Sequence, residues 1–196
     1  MTTADLSPTA AKAALRGNIR AARQARGDDD RAHAAGSIAA RALPLLADAS
    51  TVACYLSMRS EPGTSALIDL LRQRNIRVLL PRVEGDALAW VELTDVTTFT
   101  SSALGMQEPA SVSITHALSD CDAIVLPALA VASDGSRLGQ GGGFYDRALQ
   151  GVPLHSDGGP VRIGLIFDDE VLAELPLEAH DCRLDHAITP ERILSF

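Results

Sequence analysis

Cysteine is scarce in this chain of 196 residues, and its three cysteines form no pattern. Cys54, Cys121 and Cys182 are widely separated and odd in number, and no Cys-x-x-Cys pair occurs. A disulfide framework needs paired cysteines and a zinc site needs closely spaced ligands, so the sequence predicts neither. This usage of cysteine is typical of a reducing compartment, and we therefore expect a cytoplasmic protein.

Long apolar runs and basic stretches are also missing. No apolar segment is long enough to span a bilayer, and the first residues show no basic stretch followed by an apolar core, so no signal peptide is predicted. A formal net charge of −8 argues against a general nucleic-acid binder, which needs a basic face. We expect one soluble domain over residues 1–196, a monomer with no membrane or nucleic-acid partner.

Lysine is nearly absent, because positive charge is carried by 16 arginines and by Lys12 alone. In such a background a lysine is informative, since a compact ammonium that approaches one phosphate oxygen differs from a guanidinium fork. Lys12 recurs with Arg16, Arg20 and Arg23 at helical spacing, in a helix that Ser7-Pro8 should begin. Basic stripes of this kind usually face solvent, and the stripe alone predicts a solvated helix face.

Glycine, in contrast, is concentrated in one segment, Gly139-Gln140-Gly141-Gly142-Gly143, which we call the glycine loop. Glycine has no Cβ, so bare backbone N–H groups can approach a ligand closely. The residues that follow, Phe-Tyr-Asp-Arg-Ala-Leu, are typical of a helix start, and a loop that leads into a helix N-terminus suits an anion. Arg137 and Arg147 flank the loop, and Asp146 could hold a divalent cation. The segment therefore predicts a site for a nucleotide phosphate with magnesium.

Two common phosphate motifs do not fit this segment. A Walker A loop needs Gly-Lys-Ser/Thr, whereas Lys12 is followed by alanine, and Phe144 stands where the dinucleotide pattern needs its third glycine. The remaining alternative is that the glycines form only a flexible turn. The flanking charges of Arg137, Asp146 and Arg147 favour the phosphate site over that alternative.

Apolar runs and helical patterns alternate along the chain. They predict helices at 9–26, 28–43 and 65–74, and strands at 51–57, 76–81, 87–93, 123–127, 161–167 and 186–188. Such alternation implies a mostly parallel sheet covered on both faces. Ligands bind outside the carboxyl ends of such strands, where three loops qualify: 57–64, Pro81-Arg82 and 127–146. Residues 94–115 are expected to be irregular.

Four blocks of the chain agree in order with one known pattern. They are Lys12-Ala-Ala-Leu-Arg16; Tyr55-Leu-Ser-Met58 with Glu61 and Thr64; Leu126-Pro-Ala-Leu-Ala-Val with Gly135-Ser-Arg-Leu-Gly-Gln-Gly-Gly-Gly-Phe-Tyr-Asp-Arg147; and Leu175-Pro-Leu-Glu-Ala-His-Asp181 with Asp185. Together they closely resemble the 5-formyltetrahydrofolate cyclo-ligase family, also called 5,10-methenyltetrahydrofolate synthetases. Two departures stand out: Phe144 replaces a first tyrosine of many members, and Pro62-Gly63 follows Glu61 in place of an aliphatic residue.

The resemblance implies a three-layer α/β/α fold with a mostly parallel sheet, a CoA-transferase-like architecture. It also implies a ligase that uses ATP as co-substrate and Mg²⁺ to convert 5-formyltetrahydrofolate to 5,10-methenyltetrahydrofolate. The formyl oxygen would be phosphorylated, and ADP and phosphate would be released. The expected partners are these small molecules.

By the same resemblance, residues of this chain take the family's roles. For catalysis we ourselves expect Lys12 to contact the terminal phosphates, with Arg137 or Arg147 stabilising charge as it develops. ATP binding falls to Lys12, Arg16, Arg137, Leu138, Gly139, Gln140, Gly141, Gly142, Gly143, Phe144 and Tyr145. Folate binding falls to Leu56, Glu61, Gly142, Gly143, Phe144, Tyr145 and Asp146. The metal ligands would be Asp146 and Asp185.

Several of these side chains have a plainer alternative. Arg147 could pair structurally with a carboxylate, and Tyr145 could be a core aromatic that never meets the pterin. For Trp90 we expect burial in the core, although it could line the folate pocket. For His180, next to Asp181, an ordering role in the loop that leads to Asp185 is favoured over a metal or base role.

Two other functions compete with the ligase. A sugar-phosphate isomerase or CoA-transferase relative would share the architecture, but it would need a catalytic glutamate or lysine near a strand end and no ATP. A folate-binding protein without catalysis would sequester 5-formyl folate. The presence of Lys12, Asp146 and Asp185 disfavours this last reading.

Overall fold

The computed structural model describes residues 7–102, 105–110, 115–176 and 182–196. Its α-helices, in chain order, are α1 (Pro8–Ala25), α2 (Asp28–Leu45), α3 (Ser65–Gln73) and α4 (Phe144–Ala148). Its strands are β1 (Thr51–Ala53), β2 (Arg77–Glu84), β3 (Ala87–Glu92), β4 (Phe99–Ser101), β5 (Gln107–Pro109), β6 (Ala123–Pro127), β7 (Ala130–Ala132), β8 (Arg137–Leu138), β9 (Val161–Leu165), β10 (Val171–Leu172), β11 (His186–Ile188) and β12 (Ile193–Ser195).

A seven-stranded sheet forms the centre, in the order β12-β11-β9-β6-β1-β2-β3. The five inner strands run parallel, and only the edge strands β12 and β3 pair antiparallel with their neighbours. The predicted mostly parallel sheet is therefore confirmed. Among the described helices, none combines the length and the apolarity that crossing a membrane requires.

Both faces of the sheet are covered, because successive side chains of a strand point to opposite faces. Along β6, Val125 packs in the cluster beneath α2 and α3, whereas Ile124 and Leu126 pack in the cluster on the other side. On that second side lie Leu149, which follows α4, and a small sheet of order β10-β7-β8. The result is the predicted three-layer α/β/α arrangement, with one layer built largely from short elements.

Strand boundaries agree with the sequence pattern in the middle of the sheet and depart from it near the cavity described below. Strands β6 and β11 have the predicted bounds. Strand β1 ends at Ala53 rather than at residue 57, because the chain leaves the sheet there. Strand β2 continues to Glu84, so the prediction of a loop at Pro81-Arg82 was wrong. Those residues pair with Trp90 and Ala89 in an antiparallel hairpin with β3.

Residues 94–115 were predicted to be irregular, yet they contain the antiparallel pair β4–β5. The pair is anchored to the edge of the main sheet: Glu108 Oε2 accepts from the backbone N–H of Val83 at 3.0 Å, and the Arg82 guanidinium donates to the carbonyl of Pro109. The pattern did not predict it because both strands are only three residues long. The short strands β7, β8, β10 and β12 were missed for the same reason.

Helix α1 begins as predicted, with Ser7 Oγ accepting from the N–H of Ala10 at 3.3 Å and Pro8 in the first turn. The prediction that its basic stripe faces solvent was wrong, since Lys12 is 4% and Arg23 1% exposed. Arg23 forms a two-pronged ion pair with Glu170, with Nε–Oε1 and Nη2–Oε2 distances of 2.7 and 2.8 Å. Its Nη2 also donates to the carbonyl of Ala128 at 2.6 Å. The stripe thus faces the protein.

Removing one partner of this buried pair should destabilise the fold. Replacing Glu170 with glutamine leaves the guanidinium of Arg23 buried without a compensating charge, and we expect the free energy of unfolding to fall by about 3 kcal/mol. Urea denaturation followed by circular dichroism measures this. The control is Asp169→Asn, which removes the exposed neighbouring pair between Arg26 and Asp169 and should leave stability nearly unchanged. Equal losses in both variants would contradict an anchoring role for the buried pair.

Candidate active site

A cavity of about 500 Å³ opens at the carboxyl ends of β1, β2 and β6. Ligands are expected at this edge of a parallel sheet. Its walls come from α1, from the loop after β1, from β2 and β3, from the β4–β5 pair and from the segment 137–146. The lining residues are Lys12, Arg16, Arg20, Tyr55, Leu56, Met58, Glu61, Pro81, Val83, Leu88, Met106, Gln107, Glu108, Pro127, Arg137, Leu138, Gly139, Gln140, Gly141, Gly142, Gly143, Phe144, Tyr145 and Asp146.

The glycine loop forms one wall, and its backbone explains why glycine is needed there. Gly141 and Gly143 have φ angles of 105° and 66°, in the region that residues with a Cβ rarely adopt. Gly143 caps α4, which is only five residues long. At Gly139 the reason is space, because a Cβ would lie 2.9 Å from Nη1 of Arg137. The predicted helix start is confirmed, although the helix is short.

Helix α1 holds the glycine loop through arginine side chains. Arg16 Nε donates to the carbonyl of Gly139 at 2.9 Å, and Arg20 Nη2 donates to the carbonyl of Gln140 at 2.6 Å. With the Lys12 ammonium and the Arg137 guanidinium, these groups surround the loop with positive charge. A chain of net charge −8 therefore presents a local cationic site, as an anionic ligand requires.

Arg137 lies at the base of this site, with a side chain 3% exposed. Its Nη1 donates to the carbonyl of Pro127 at 2.9 Å and its Nη2 to Oδ1 of Asp146 at 2.7 Å. Its Nε is buried and has no hydrogen-bond partner among the described residues. Oδ1 of Asp146 also accepts from the N–H of Cys182 at 3.5 Å. Asp146 is thus held at the cavity by a buried cation.

Glu61 is a buried carboxylate on the opposite wall, 5% exposed. Its Oε2 accepts from the N–H of Met58 at 2.9 Å, and its Oε1 accepts from Nε2 of Gln140 at 2.8 Å. Burial raises the pKa of Glu61, while these hydrogen bonds and the charge of Arg23 act in the opposite direction. The side chain is therefore a desolvated acceptor that the surroundings keep oriented.

Aromatic residues form the deep part of the cavity. Tyr145 lines it and packs edge-on against Trp90, with ring centroids 6.1 Å apart and an interplanar angle of 67°. Burial raises the pKa of Tyr145, so its hydroxyl stays protonated. Tyr55 also lines the cavity, and its hydroxyl has no partner among the described residues. Trp90 is 4% exposed and lies in the core, as predicted, whereas Tyr145 is both a core aromatic and a cavity residue.

Two predicted site residues lie outside the cavity lining. Arg147 is exposed, its Nε donates to the carbonyl of Asp86 at 3.0 Å, and its guanidinium lies 5.0 Å from the centroid of the Phe144 ring. Asp185 lies just before β11, where its Oδ2 accepts from the N–H of Arg162 at 2.7 Å. The described residues contain no cluster of three or more acidic, histidine or cysteine side chains suited to a metal. His180 and Asp181 lie outside the described residues.

The other predicted residues meet in one cavity, although their binding roles remain predictions. The structure adds lining residues that the sequence analysis did not single out for the site. Arg20 could have been found, since it follows Arg16 by one helical turn. The β4–β5 pair gave no signal, because it reaches the cavity only through the fold. The added residues are Arg20, Tyr55, Met58, Pro81, Val83, Leu88, Met106, Gln107, Glu108 and Pro127.

Comparison with known proteins gives a consistent result. A model of the 5-formyltetrahydrofolate cyclo-ligase family matches residues 8–190. The chain is 38% identical over 149 residues to the 5-formyltetrahydrofolate cyclo-ligase of Mycolicibacterium smegmatis, covering 72% of this chain and 74% of that protein. It is 33% identical over 154 residues to the protein of that name from Escherichia coli, covering 76% and 83%. The fold is similar to that of 5,10-methenyltetrahydrofolate synthetase from Aquifex aeolicus, with a TM-score of 0.81 at 24% identity, covering 94% and 92%.

The close approach at Gly139 leads to a test of how rigid this wall is. Gly139→Ala would push a Cβ against the buried, hydrogen-bonded guanidinium of Arg137, and we expect a loss of about 1–2 kcal/mol in unfolding free energy. The matched control is Gly36→Ala in α2, where a Cβ meets nothing within 4 Å. That variant should gain about 0.5–1 kcal/mol, because glycine is a poor helix former. Thermal unfolding measures both, and a neutral Gly139→Ala would contradict the tight packing.

Proposed function

Because the chain belongs to the 5-formyltetrahydrofolate cyclo-ligase family, and is therefore a ligase, we propose that it cyclises 5-formyltetrahydrofolate to 5,10-methenyltetrahydrofolate with ATP as co-substrate. One observation carries the finer part of this proposal. A cationic, glycine-lined half and a half that holds a buried carboxylate and aromatic residues share one cavity of about 500 Å³. Such a cavity suits a triphosphate and a heterocycle side by side.

The chemistry accounts for this choice of residues. A formamide is a weak electrophile, because the nitrogen lone pair is delocalised into the carbonyl, and its oxygen cannot leave as oxide. Attack of the formyl oxygen on the γ-phosphorus of ATP releases ADP and leaves a phosphorylated iminium. Nitrogen N10 then attacks the iminium carbon and loses its proton, and the C–O bond breaks as the oxygen leaves as phosphate, which takes up that proton. Phosphoryl transfer of this kind needs positioning and charge neutralisation rather than a protein nucleophile.

The nucleotide half of the site is assigned to α1 and the segment 137–145. Lys12 is buried and lines the cavity, which supports a contact between its ammonium and the terminal phosphates. Arg16 lines the same wall and fixes the glycine loop through the carbonyl of Gly139. For stabilising charge on the transferred group, Arg137 is better situated than Arg147, because it is buried at the cavity and carries an unpaired Nε, whereas Arg147 is exposed.

Magnesium is assigned to Asp146 and Asp185. The ion prefers few protein carboxylates and completes its shell with phosphate oxygens and water, so two carboxylates from this chain would suffice. Asp146 suits the role, since it lies at the cavity, where its Oδ1 accepts from Arg137 and from the N–H of Cys182. Bound Mg²⁺ would neutralise phosphate charge. Asp185 holds the backbone of Arg162, and its part in metal binding is the less supported of the two.

The folate half is assigned to Glu61, Leu56 and the residues from Gly142 to Asp146. Each oxygen of Glu61 already accepts one hydrogen bond and retains a second lone-pair direction. An ionised carboxylate of this kind can accept from the adjacent N–H groups of a pterin ring. Tyr145, with Leu56 beside it, offers the apolar surface on which a flat ring packs.

The competing functions find less support in this site. A sugar-phosphate isomerase or CoA-transferase also binds a phosphorylated substrate, so the cationic glycine loop alone does not distinguish it, but neither function matches the family to which the chain belongs. A folate-binding protein without catalytic activity would not need Arg137 and Asp146 at the end of the cavity assigned to phosphate. For the cell, we infer a cytoplasmic monomer: Cys54, Cys121 and Cys182 are free, and burial raises the pKa of the Cys54 thiol to about 12 and that of Cys121 to about 11.

The reaction is tested directly with purified protein, 5-formyltetrahydrofolate, Mg²⁺ and ATP. We expect the absorbance of the methenyl product to rise only when ATP is present, and ADP to form in equal amount, because each cyclisation consumes one γ-phosphate. Omission of Mg²⁺ should slow turnover strongly. Product without ATP, or ATP hydrolysis without product, would contradict the proposed reaction.

Two variants should separate the halves of the site. Lys12→Ala should lower kcat/KM for ATP by about 10- to 100-fold with little change in the Kd for 5-formyltetrahydrofolate, because one charge-assisted contact to phosphate is lost. Glu61→Gln should do the reverse, raising the folate Kd by a similar factor. Steady-state kinetics and titration calorimetry measure the two constants.

The matched controls are exposed residues that do not line the cavity, Arg74→Ala for the lysine and Glu191→Gln for the glutamate. Both should behave as the wild type. Equal loss of ATP and folate binding in Lys12→Ala would indicate a scaffold role for that residue.

A further inference from the structure

A single side chain at the tip of the glycine loop joins the two halves of the cavity. Oε1 of Gln140 accepts from Nη2 and Nε of Arg20, at 3.1 and 3.3 Å. Nε2 of Gln140 donates to Oε1 of Glu61 at 2.8 Å. The connection runs from α1, across the loop, to the carboxylate assigned to the folate ring. It links residues 120 and 79 positions apart in the chain.

Arg20 decides which end of the Gln140 amide meets Glu61. The two ends of an amide are similar in shape, but one donates and the other only accepts. Arg20 is a donor at both of its contacts with Oε1, so the carbonyl end is held toward α1 and the N–H₂ end toward the carboxylate. Arg20 also holds the loop backbone at the carbonyl of Gln140, at 2.6 Å. Without Arg20, the amide could turn its oxygen toward Glu61, which would repel a carboxylate.

The surroundings of Glu61 make that donor important. Burial favours the protonated form, and the charge of Glu170 acts in the same direction. Arg23 favours the ionised form of Glu61, and the charge of Glu61 in turn acts on the hydroxyls of Tyr55 and Tyr145. Among the described residues the hydrogen bonds that favour ionisation come from the N–H of Met58 and from Gln140. The first belongs to the backbone, so Gln140 is the side chain through which this balance can be set.

We propose that Arg20 and Gln140 form a positioning pair that keeps the Glu61 carboxylate ionised and aimed into the cavity, and that ties it to the nucleotide helix α1. The inference rests on the proposed function in one respect, namely that Glu61 reads the folate ring. Gln140 then has a role beyond lining the phosphate loop. Any displacement of α1 relative to the glycine loop is transmitted to the folate carboxylate through one amide.

The titration of Glu61 in the ligand-free protein tests this pair. Glutamate labelled with ¹³C at the side-chain carboxyl gives one signal per residue, and Glu61→Gln identifies the signal of Glu61. Loss of a donor disfavours the carboxylate, so Gln140→Met should raise the titration midpoint by about one pH unit, which corresponds to losing one hydrogen bond to a charged group. As pH falls, the ionised form then disappears at a higher pH than in the wild type.

The arginine gives a second, independent comparison. Arg20→Met should shift the midpoint in the same direction by a smaller amount, because the amide is still present but no longer oriented. Arg20→Lys should restore part of the wild-type value, since it keeps a donor to Oε1. The matched control is Gln24→Met, the same replacement at an exposed position of α1. It should leave the Glu61 midpoint unchanged. If Gln140→Met does not fold, the Arg20 variants decide the question.

An unchanged midpoint in both Gln140→Met and Arg20→Met would overturn the inference. The Kd for 5-formyltetrahydrofolate, measured by calorimetry across the same pH range, separates this outcome from failure of the proposed function. If the wild-type protein binds folate but Gln140→Met and Arg20→Met keep the wild-type Glu61 midpoint, the positioning pair alone is contradicted. If the variants show the expected shift of the Glu61 midpoint but the wild-type protein binds no folate, the proposed function is contradicted and the positioning pair is not. If the variants bind 5-formyltetrahydrofolate more weakly by the same factor at every pH, Gln140 and Arg20 have only a packing role, and this outcome also overturns the inference.

Discussion

Contact between the charged face of α1 and the glycine loop is the interaction on which the rest of the candidate site depends. A loop rich in glycine has few side chains with which to fix its own backbone. Arg16 and Arg20 supply that order from outside, through the carbonyls of Gly139 and Gln140. The helix is in turn fixed by Arg23, which is paired with Glu170 in the protein interior. Three arginines of one helix face therefore fix the position of neighbouring segments as well as supplying charge.

Under the proposed function, this arrangement explains how an acidic chain can hold a polyanionic substrate. Lys12 and Arg137 are buried, and Arg16 and Arg20 line the same cavity, where electrostatic interactions are stronger than at the open surface. Burial of Lys12 and Arg137 is costly unless other groups compensate, and Asp146 and backbone carbonyls do so for Arg137. The same cavity holds an acidic group, Glu61, whose carboxylate accepts a hydrogen bond from the Gln140 amide of the glycine loop. One cavity thus has a cationic wall and a second wall that carries a buried carboxylate.

Local pattern predicted much of this fold and part of the site. Ser7-Pro8 begins α1, the apolar run of β6 has its predicted bounds, and the glycine loop lies at the carboxyl edge of the sheet. These features depend on neighbours in sequence. The prediction that the basic stripe faces solvent was wrong, because burial of Arg23 depends on its pairing with Glu170, which is 147 residues away in the chain. The β4–β5 wall depends on contacts with β2 that a periodicity analysis does not contain.

The position of Trp90 has a practical consequence. It is the only tryptophan in the chain, it is almost fully buried, and its indole packs edge-on against Tyr145, which lines the cavity. All indole emission from the protein therefore originates one side chain away from the pocket. The chain carries an intrinsic optical reporter of its own occupancy, with no background from a second fluorophore of the same kind.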